Sequence, residues 1–469
     1  MKFERMKTIL LVLLVISSIV LTINKWFNEK LWPEGYNFFS DVKNFFFSSD
    51  DDKKEYLFDP VEEILKPSEI IVNNSQNHIL YTKSSEYYQN FFAEIKDIIE
   101  LVSSDYTNDK CKIEEWNNAL KGKSYYFSYP VKYNSDYFFS RDKKIYKGDI
   151  KAVKEFAVVN DIRIPSLVYV YIKDAETGDI FKQEISYESK MLEIISDNSA
   201  IQSDETNYFS FELKFDSEKQ GTVTQPIIID PDVLISITPK TLSSITEENL
   251  FDAISENKQI YNSILSEFGY NTSSIRKYVE SDNSVVFVEN YGTLKFHSDG
   301  VLEFKSIDNS KGIELGGDTA YECLNSCISF VDAITEHIPF AEGMNWQLSS
   351  DIPDVKSKTF TLVFDYYVND NMLVTPFELY NMKNSIIVEV VSGKIVKYQQ
   401  LCRSYSSINQ FVTCPSVIDA IDAIEQQLYL PDNIISDIFT AYTYDSINGI
   451  WYPAWYVENS HGDIASIVL

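Results

Sequence analysis

The stretch YGTLKFHSDGVLEFK, residues 291–305, decides how the rest of the chain is read. Leu294 and Phe296 point one way while Lys295 and His297 point the other; after HSDG the pattern resumes with Leu302 and Phe304 against Glu303 and Lys305. Period-two alternation on both sides of an Asp-Gly predicts a β-hairpin, because glycine takes the positive-φ position such turns require. Residues 385–400, SIIVEVVSGKIVKYQQ, have the same form, and Gly393 stands 93 positions after Gly300. Each hairpin precedes a helical pattern, DTAYECLNSCISFVDAITEH and CPSVIDAIDAIEQQL respectively. Each helix precedes a further strand pair, TFTLVFDYYVNDNMLVTPFELY and TAYTYDSINGIWYPAWYV. Pro376 and Pro453 fall five residues after Asn371 and Asn448, an offset of 453 − 376 = 77. The shortfall of 93 − 77 = 16 matches an insertion in the first copy, IPFAEGMNWQLSSDIP. Two tandem ββαββ units, residues 285–380 and 381–469, are therefore expected, each pairing one sheet face with one covering helix. Asn448-Gly449 predicts a type I′ turn in the last hairpin.

The expected class is α+β. Apolar residues make up 44% of 469, enough for cored domains, and aromatics at 14%, with 31 Tyr, suit half-buried strands. Forty-one Lys+Arg against 70 Asp+Glu give a net charge of −29, which repels phosphate backbones, so no nucleic-acid partner is expected. An N-terminal α+β domain is read over residues 56–235. DPVEEILKPSEIIVNN opens it with a short helix and a strand. A helix follows with Tyr87, Phe91, Ile95, Ile98 and Ile99 near helical spacing, then a second, KIEEWNNALKGK, closed by Gly122. Strands run from SYYFSYP to FSFELKF, VYVYI being the clearest. The linker-like SEKQGTVTQP places a boundary within residues 226–241. A middle domain over 236–380 starts with one or two helices, and residues 381–469 form the C-terminal domain.

The N-terminus sets the compartment. MKFERMK precedes 17 uncharged residues, TILLVLLVISSIVLTIN (8–24), and Trp26, Phe27 and Trp32 follow. That length spans a bilayer at the short end, and Lys2, Arg5 and Lys7 favour a cytoplasmic N-terminus. No small-residue cleavage pattern follows the apolar core. Residues 1–27 are thus read as a cytoplasmic tip and uncleaved signal anchor, 28–55 as a juxtamembrane linker, and the remainder as extracytoplasmic. Leu10, Leu14, Ser17, Leu21 and Asn24 recur at alternating spacings of four and three, making one stripe along the anchor. Helices associate in lipid through close packing and polar contacts, which makes this stripe a candidate partner contact, against a plain lipid-facing role.

Residues 275–305, IRKYVESDNSVVFVENYGTLKFHSDGVLEFK, and the closing GIWYPAWYV resemble the YycH family and its relative YycI. ILKPSEIIVNN and EEWNNALKGKSYYFSYP extend the resemblance over nearly the whole ectodomain, through strand patterns and Tyr, Gly and Pro positions rather than an invariant motif. It implies membrane-anchored extracytoplasmic regulators of a cell-wall two-component system. It implies an N-terminal domain followed by two YycI/PepSY-like domains. It also implies a membrane sensor histidine kinase as partner, a YycI-like second regulator beside it, and no catalytic residues or cofactor. Two other readings are a PepSY-type inhibitor of an extracellular protease and a wall-directed hydrolase.

The chemistry-bearing residues offer little against this. His78, His297, His337 and His461 form no recognised motif, and His297 is expected on the solvated side of its hairpin. Asp365 and Glu389 could be imagined as a glycosidase dyad, but 70 carboxylates supply such pairs by chance. Five cysteines, Cys111, Cys323, Cys327, Cys402 and Cys414, read as buried free thiols. Cys402 and Cys414 flank what reads as a short link between a strand and its helix, where a disulfide is geometrically open. In WYPAWYV, Trp451 and Trp455 share one side of a strand, suited to core packing or to a partner-contact surface.

Overall fold

The computed structural model describes residues 60–467 apart from 76, 86, 105–108, 140–145, 147, 162, 189–205, 214–227, 353–356, 428–433 and 460–461. Strand Lys123–Asn134 explains the N-terminal part, because its aromatic run leaves almost no polar face and so needs cover on both sides. Tyr125, Phe127 and Tyr129 enter one core with Phe91 and Ile95 of helix Tyr88–Ser104. Tyr126 enters another with Trp116 and Leu120 of helix Ile113–Lys121. The strand is third in a seven-stranded sheet ordered His78–Thr82, Glu69–Asn74, Lys123–Asn134, Ala152–Asn160, Leu167–Asp174, Ile180–Ser186, Asp109–Cys111. Helix Tyr88–Ser104 buries Tyr88, Phe91, Ile95, Ile98, Ile99 and Val102. Tyr87 is exposed instead, because the inward stripe starts one residue later, where the Tyr88 hydroxyl donates to the Pro67 carbonyl.

Downstream, a sixteen-stranded sheet holds both expected hairpins. Gly292–Phe296 and Val301–Ser306 pair as read, with Leu294 opposite Phe304, and both of these side chains are buried. Gly300 closes the turn at φ +88°, donating its N–H to the His297 carbonyl at 2.9 Å. Ile386–Val391 and Lys394–Leu401 form the second hairpin, with Gly393 at φ +79°. The helices lie at Ala320–Glu336, opened by a Thr319/Glu322 capping box, and at Val417–Gln427.

Their arrangement differs from two tandem units. Val301–Ser306 pairs directly with Lys394–Leu401, so the second hairpin is built into the sheet between the first hairpin and strand Phe360–Val368. Helix Ala320–Glu336 packs in one core with Leu294, Phe304 and Tyr398, from both hairpins. Helix Val417–Gln427 packs instead on Ile435, Ile438, Trp455 and Val457, from the last hairpin. The cause is an edge: a hairpin with one free side offers unpaired backbone groups that another strand satisfies. The insertion is no plain loop, since Met344–Leu348 inside it pairs with Phe360–Val368.

Two further expectations are revised. Residues 240–249, placed at a linker and helix start, form strand Lys240–Asn249, paired along Arg403–Cys414. In the last hairpin Asp445 pairs with Ile450, leaving residues 446–449 as a four-residue loop in which Gly449 alone takes positive φ, at +67°. A type I′ turn needs positive φ at both central residues. Asp445 imposes the wider loop by accepting from the Ile447 N–H at 2.9 Å and the Asn448 amide at 2.6 Å.

Candidate functional site

Strand Ile450–Asn459 carries Trp451 and Trp455 on one side, and that side is the interior. The two indoles are 1% and 2% exposed, while Tyr452 between them is 40% exposed. This removes both tryptophans from the partner-contact surface. Trp455 donates Nε1–H to the Pro415 carbonyl at 2.9 Å, pinning the start of helix Val417–Gln427 to the sheet. Trp451 donates Nε1–H to Glu247 Oε2 at 3.0 Å. Glu247 also pairs with Arg403 at 2.9 Å and accepts from the Tyr380 hydroxyl at 2.9 Å. The Arg403 guanidinium lies 4.6 Å from the Tyr380 ring centre. Neither Glu247 nor Arg403 can be recognised from sequence spacing, since their strands meet only through the long-range register of Lys240–Asn249 with Arg403–Cys414.

The same register separates the two cysteines. Cys402 and Cys414 stand at opposite ends of the twelve-residue strand Arg403–Cys414, about 40 Å apart at ~3.3 Å per residue. That excludes the disulfide, and both thiols are free and buried. Burial pushes the Cys402 thiol up to about 12 and Cys414 upward as well. Cys323 and Cys327 are free and buried on helix Ala320–Glu336, and Cys111 is free and half-buried.

Asp365 and Glu389 do not meet. Strand Ile386–Val391 sets Glu389 opposite Thr361, four residues along from Asp365, roughly 13 Å at ~3.3 Å per residue. Glu389 pairs with Lys397 at 3.0 Å. Asp365 is fully buried, accepting from the Asn384 amide at 2.9 Å and the Ser385 N–H at 3.1 Å, and burial raises its pKa. With Glu389 held by Lys397 and Asp365 buried with Asn384 and Ser385, the two carboxylates are not arranged as an acid–base pair.

His297 is half-buried rather than solvated, 3.4 Å from Glu303, whose carboxyl is held down at about 2 by that hydrogen bond and by Lys305. His337 lies 3.3 Å from Glu267, and His461 lies outside the described residues. His78 carries the arrangement closest to a triad. Its Nε2 is 2.8 Å from Glu212, its Nδ1 is 2.6 Å from Asn73 Oδ1, and the Asn73 amide donates to Ser124 Oγ at 2.9 Å. The Ser124 hydroxyl therefore faces asparagine, not imidazole, and His78, Asn73 and Ser124 are all buried. Burial lowers the His78 pKa against the pull of Glu212. The network ties residues 207–212 to the first sheet rather than activating a nucleophile.

The anchor stripe, Leu10, Leu14, Ser17, Leu21 and Asn24, lies outside the described residues, as do segments 1–27 and 28–55. Among the described residues no helix is long and apolar enough to cross a membrane.

No family model and no curated protein matches the chain. Among solved structures it is similar to YycH from Bacillus subtilis, with a TM-score of 0.56 and 12% identity over 87% of this chain and 97% of that one. It also matches a structure of an uncharacterized protein from Eubacterium rectale ATCC 33656, with a TM-score of 0.30 and 13% identity over 49% of this chain and 82% of that one. The first likeness shows a shared YycH-like α+β fold.

Proposed function

We propose that the chain is an extracytoplasmic regulatory protein, held at the membrane by residues 8–24, that modulates a two-component sensor histidine kinase controlling cell-wall metabolism by contact and without catalysis. The observation that carries this reading is the likeness in fold to YycH over 97% of that chain. It agrees with the resemblance carried by residues 64–74, 114–130, 275–305 and 449–457. The N-terminal tip lies in the cytoplasm and the ectodomain outside. A YycI-like second regulator is the expected companion. With Trp451 and Trp455 in the interior, the contact is assigned to the anchor stripe, Leu10, Leu14, Ser17, Leu21 and Asn24. A polar serine among leucines on one side of a lipid-embedded helix supports close helix pairing.

Exchanging Leu14, Ser17 and Leu21 together for bulkier apolar residues is expected to leave insertion and folding intact and to change a reporter of the kinase's target genes. An unchanged reporter, with normal protein level in the membrane, sinks the helix contact. An ectodomain released by a cleavable signal is expected to lose regulation. Full function after release would instead support inhibition of an extracellular protease.

A further inference from the structure

Residues 228–236 run between the two sheets, and their side chains alternate between two cores. Val233 and Ile235 pack with Val417, Ile435 and Trp455, while Leu234 packs against the cluster of Trp116 and Tyr126. The backbone joins the large sheet at one end and a separate two-stranded sheet at the other. Ile228–Ile229 pairs in parallel with Ile434 and Ile435 of the large sheet. Leu234–Ser236 pairs with Asn207–Phe209, and the Ser210 hydroxyl donates to the Asp230 carbonyl at 2.5 Å. At the centre, Lys173 of the first sheet reaches Asp232 at 2.5 Å, Glu155 at 2.9 Å and Asp230 at 3.4 Å. Trp116 donates Nε1–H to the other Asp232 oxygen at 2.8 Å, and the Tyr126 hydroxyl bonds Glu155. The Asp232 side chain is 4% exposed and those of Glu155 and Lys173 are 16% and 17%. Three carboxylates thus face one ammonium, with Asp232 nearly dry, Glu155 and Lys173 largely covered, and Asp230 at the solvent edge, 36% exposed.

We propose that residues 228–236 form a proton-controlled clasp between the two sheets, closed when Asp232, packed against Lys173 beside Glu155 and Asp230, holds a proton and loosened when Asp232 is ionised. One ammonium offsets one negative charge, which leaves a surplus that a proton on Asp232 relieves. Burial first, and then Glu155, push Asp232 up to about 7, with Lys173 pulling the other way. A second set across the same joint comprises Lys154 beside Glu155, Glu69 on the first sheet, and Asp437 and Glu458 on the large sheet. Lys154 lies 3.9 Å from Glu458, and burial raises the pKa of all three carboxyls. These groups act in the same direction. A raised pKa in the closed state means that closure binds a proton. Closure is therefore strongest below the ordinary aspartate range and weakens as pH rises to about 7, beyond which the loss is complete. If release restores an ordinary aspartate, the opening constant rises about tenfold between pH 6 and 8.

The test is hydrogen exchange of the purified ectodomain at pH 6 and 8, corrected for intrinsic exchange, comparing residues 228–236 with the hairpin at 292–306. The wild-type clasp is expected to lose about tenfold more protection than the hairpin. Glu155→Gln removes one charge while its carbonyl still accepts from Lys173 and its amide donates to Tyr126, and it is expected to flatten that dependence severalfold. Equal pH response of clasp and hairpin in the wild type overturns the proposal. So does an undiminished response in folded Glu155→Gln. Should that variant fail to fold, the wild-type comparison decides alone.

Discussion

Replacing Glu247 by Ala tests whether the large sheet is closed by a buried polar hub. Glu247 and Arg403 are each 13% exposed, so solvent screens the pair only weakly. Removing the carboxylate leaves the Arg403 guanidinium with the Asp299 carbonyl, at 2.5 Å, and the Tyr380 ring as its remaining recorded contacts. It also strips the Trp451 indole N–H of its acceptor, and Trp451 is 1% exposed. Breaking a buried pair from one side costs about 3–5 kcal/mol, and an orphaned donor about 1–3 kcal/mol. Residual access to water trims the sum, so Glu247→Ala is expected to destabilise by about 4 kcal/mol. Removing both partners is the control. Glu247→Ala with Arg403→Met leaves no buried charge, and a double-mutant cycle is expected to show a coupling of about 1.5–3 kcal/mol. The assay is urea unfolding at constant m-value, with hydrogen exchange on Lys240–Asn249 and Arg403–Cys414 as the local readout. A single-mutant cost under about 1 kcal/mol, or zero coupling, refutes the reasoning.

Other consequences follow from the same packing. Trp455→Ala removes a buried indole and its bond to Pro415, and is expected to cost about 3–5 kcal/mol and to deprotect helix Val417–Gln427 first in hydrogen exchange. A thiol reagent is expected to reach at most half-buried Cys111 in the native protein and all five cysteines in urea; rapid native labelling of Cys327 or Cys402 contradicts the described core. Glu69, raised to about 7 by burial and by Asp437, binds its proton more tightly folded than unfolded, so stability is expected to fall as pH rises from about 4.5 to 7. The bound on that loss is ~3 kcal/mol, removed by Glu69→Gln and read by melting across the pH series.

Local pattern was legible where one face of an element is dry and the other wet. The hairpin at 292–306 follows its alternation residue by residue, and helix Ala320–Glu336 falls within the helical pattern read over DTAYECLNSCISFVDAITEH. What sequence could not carry is which strand lies beside which. Val301–Ser306 pairs with Lys394–Leu401 across about 100 residues of chain, and no local signal in either strand names the other. Strand Lys240–Asn249 was hidden because TEEN, at its end, has the composition of a helix start; its partner 154 or more residues away overrides that preference. The Lys173 joint was hidden for the same reason, since Glu155, Lys173 and Asp232 converge from separate strands and a connecting segment. Tyr87 and Tyr88 differ by one residue in a run of aromatics, and Tyr88 turns inward because it starts the helix's buried stripe, its hydroxyl bonding the Pro67 carbonyl.

The most direct test of the regulatory reading is a photo-crosslinker placed at Ser17 of the full-length protein in its native membrane, with the captured species identified by mass. The account predicts a membrane sensor histidine kinase, captured at Ser17 and lost when Leu14 and Leu21 are made bulkier. Capture of lipid alone, while a reporter of the kinase's target genes still responds to the crosslinkable protein, would contradict it.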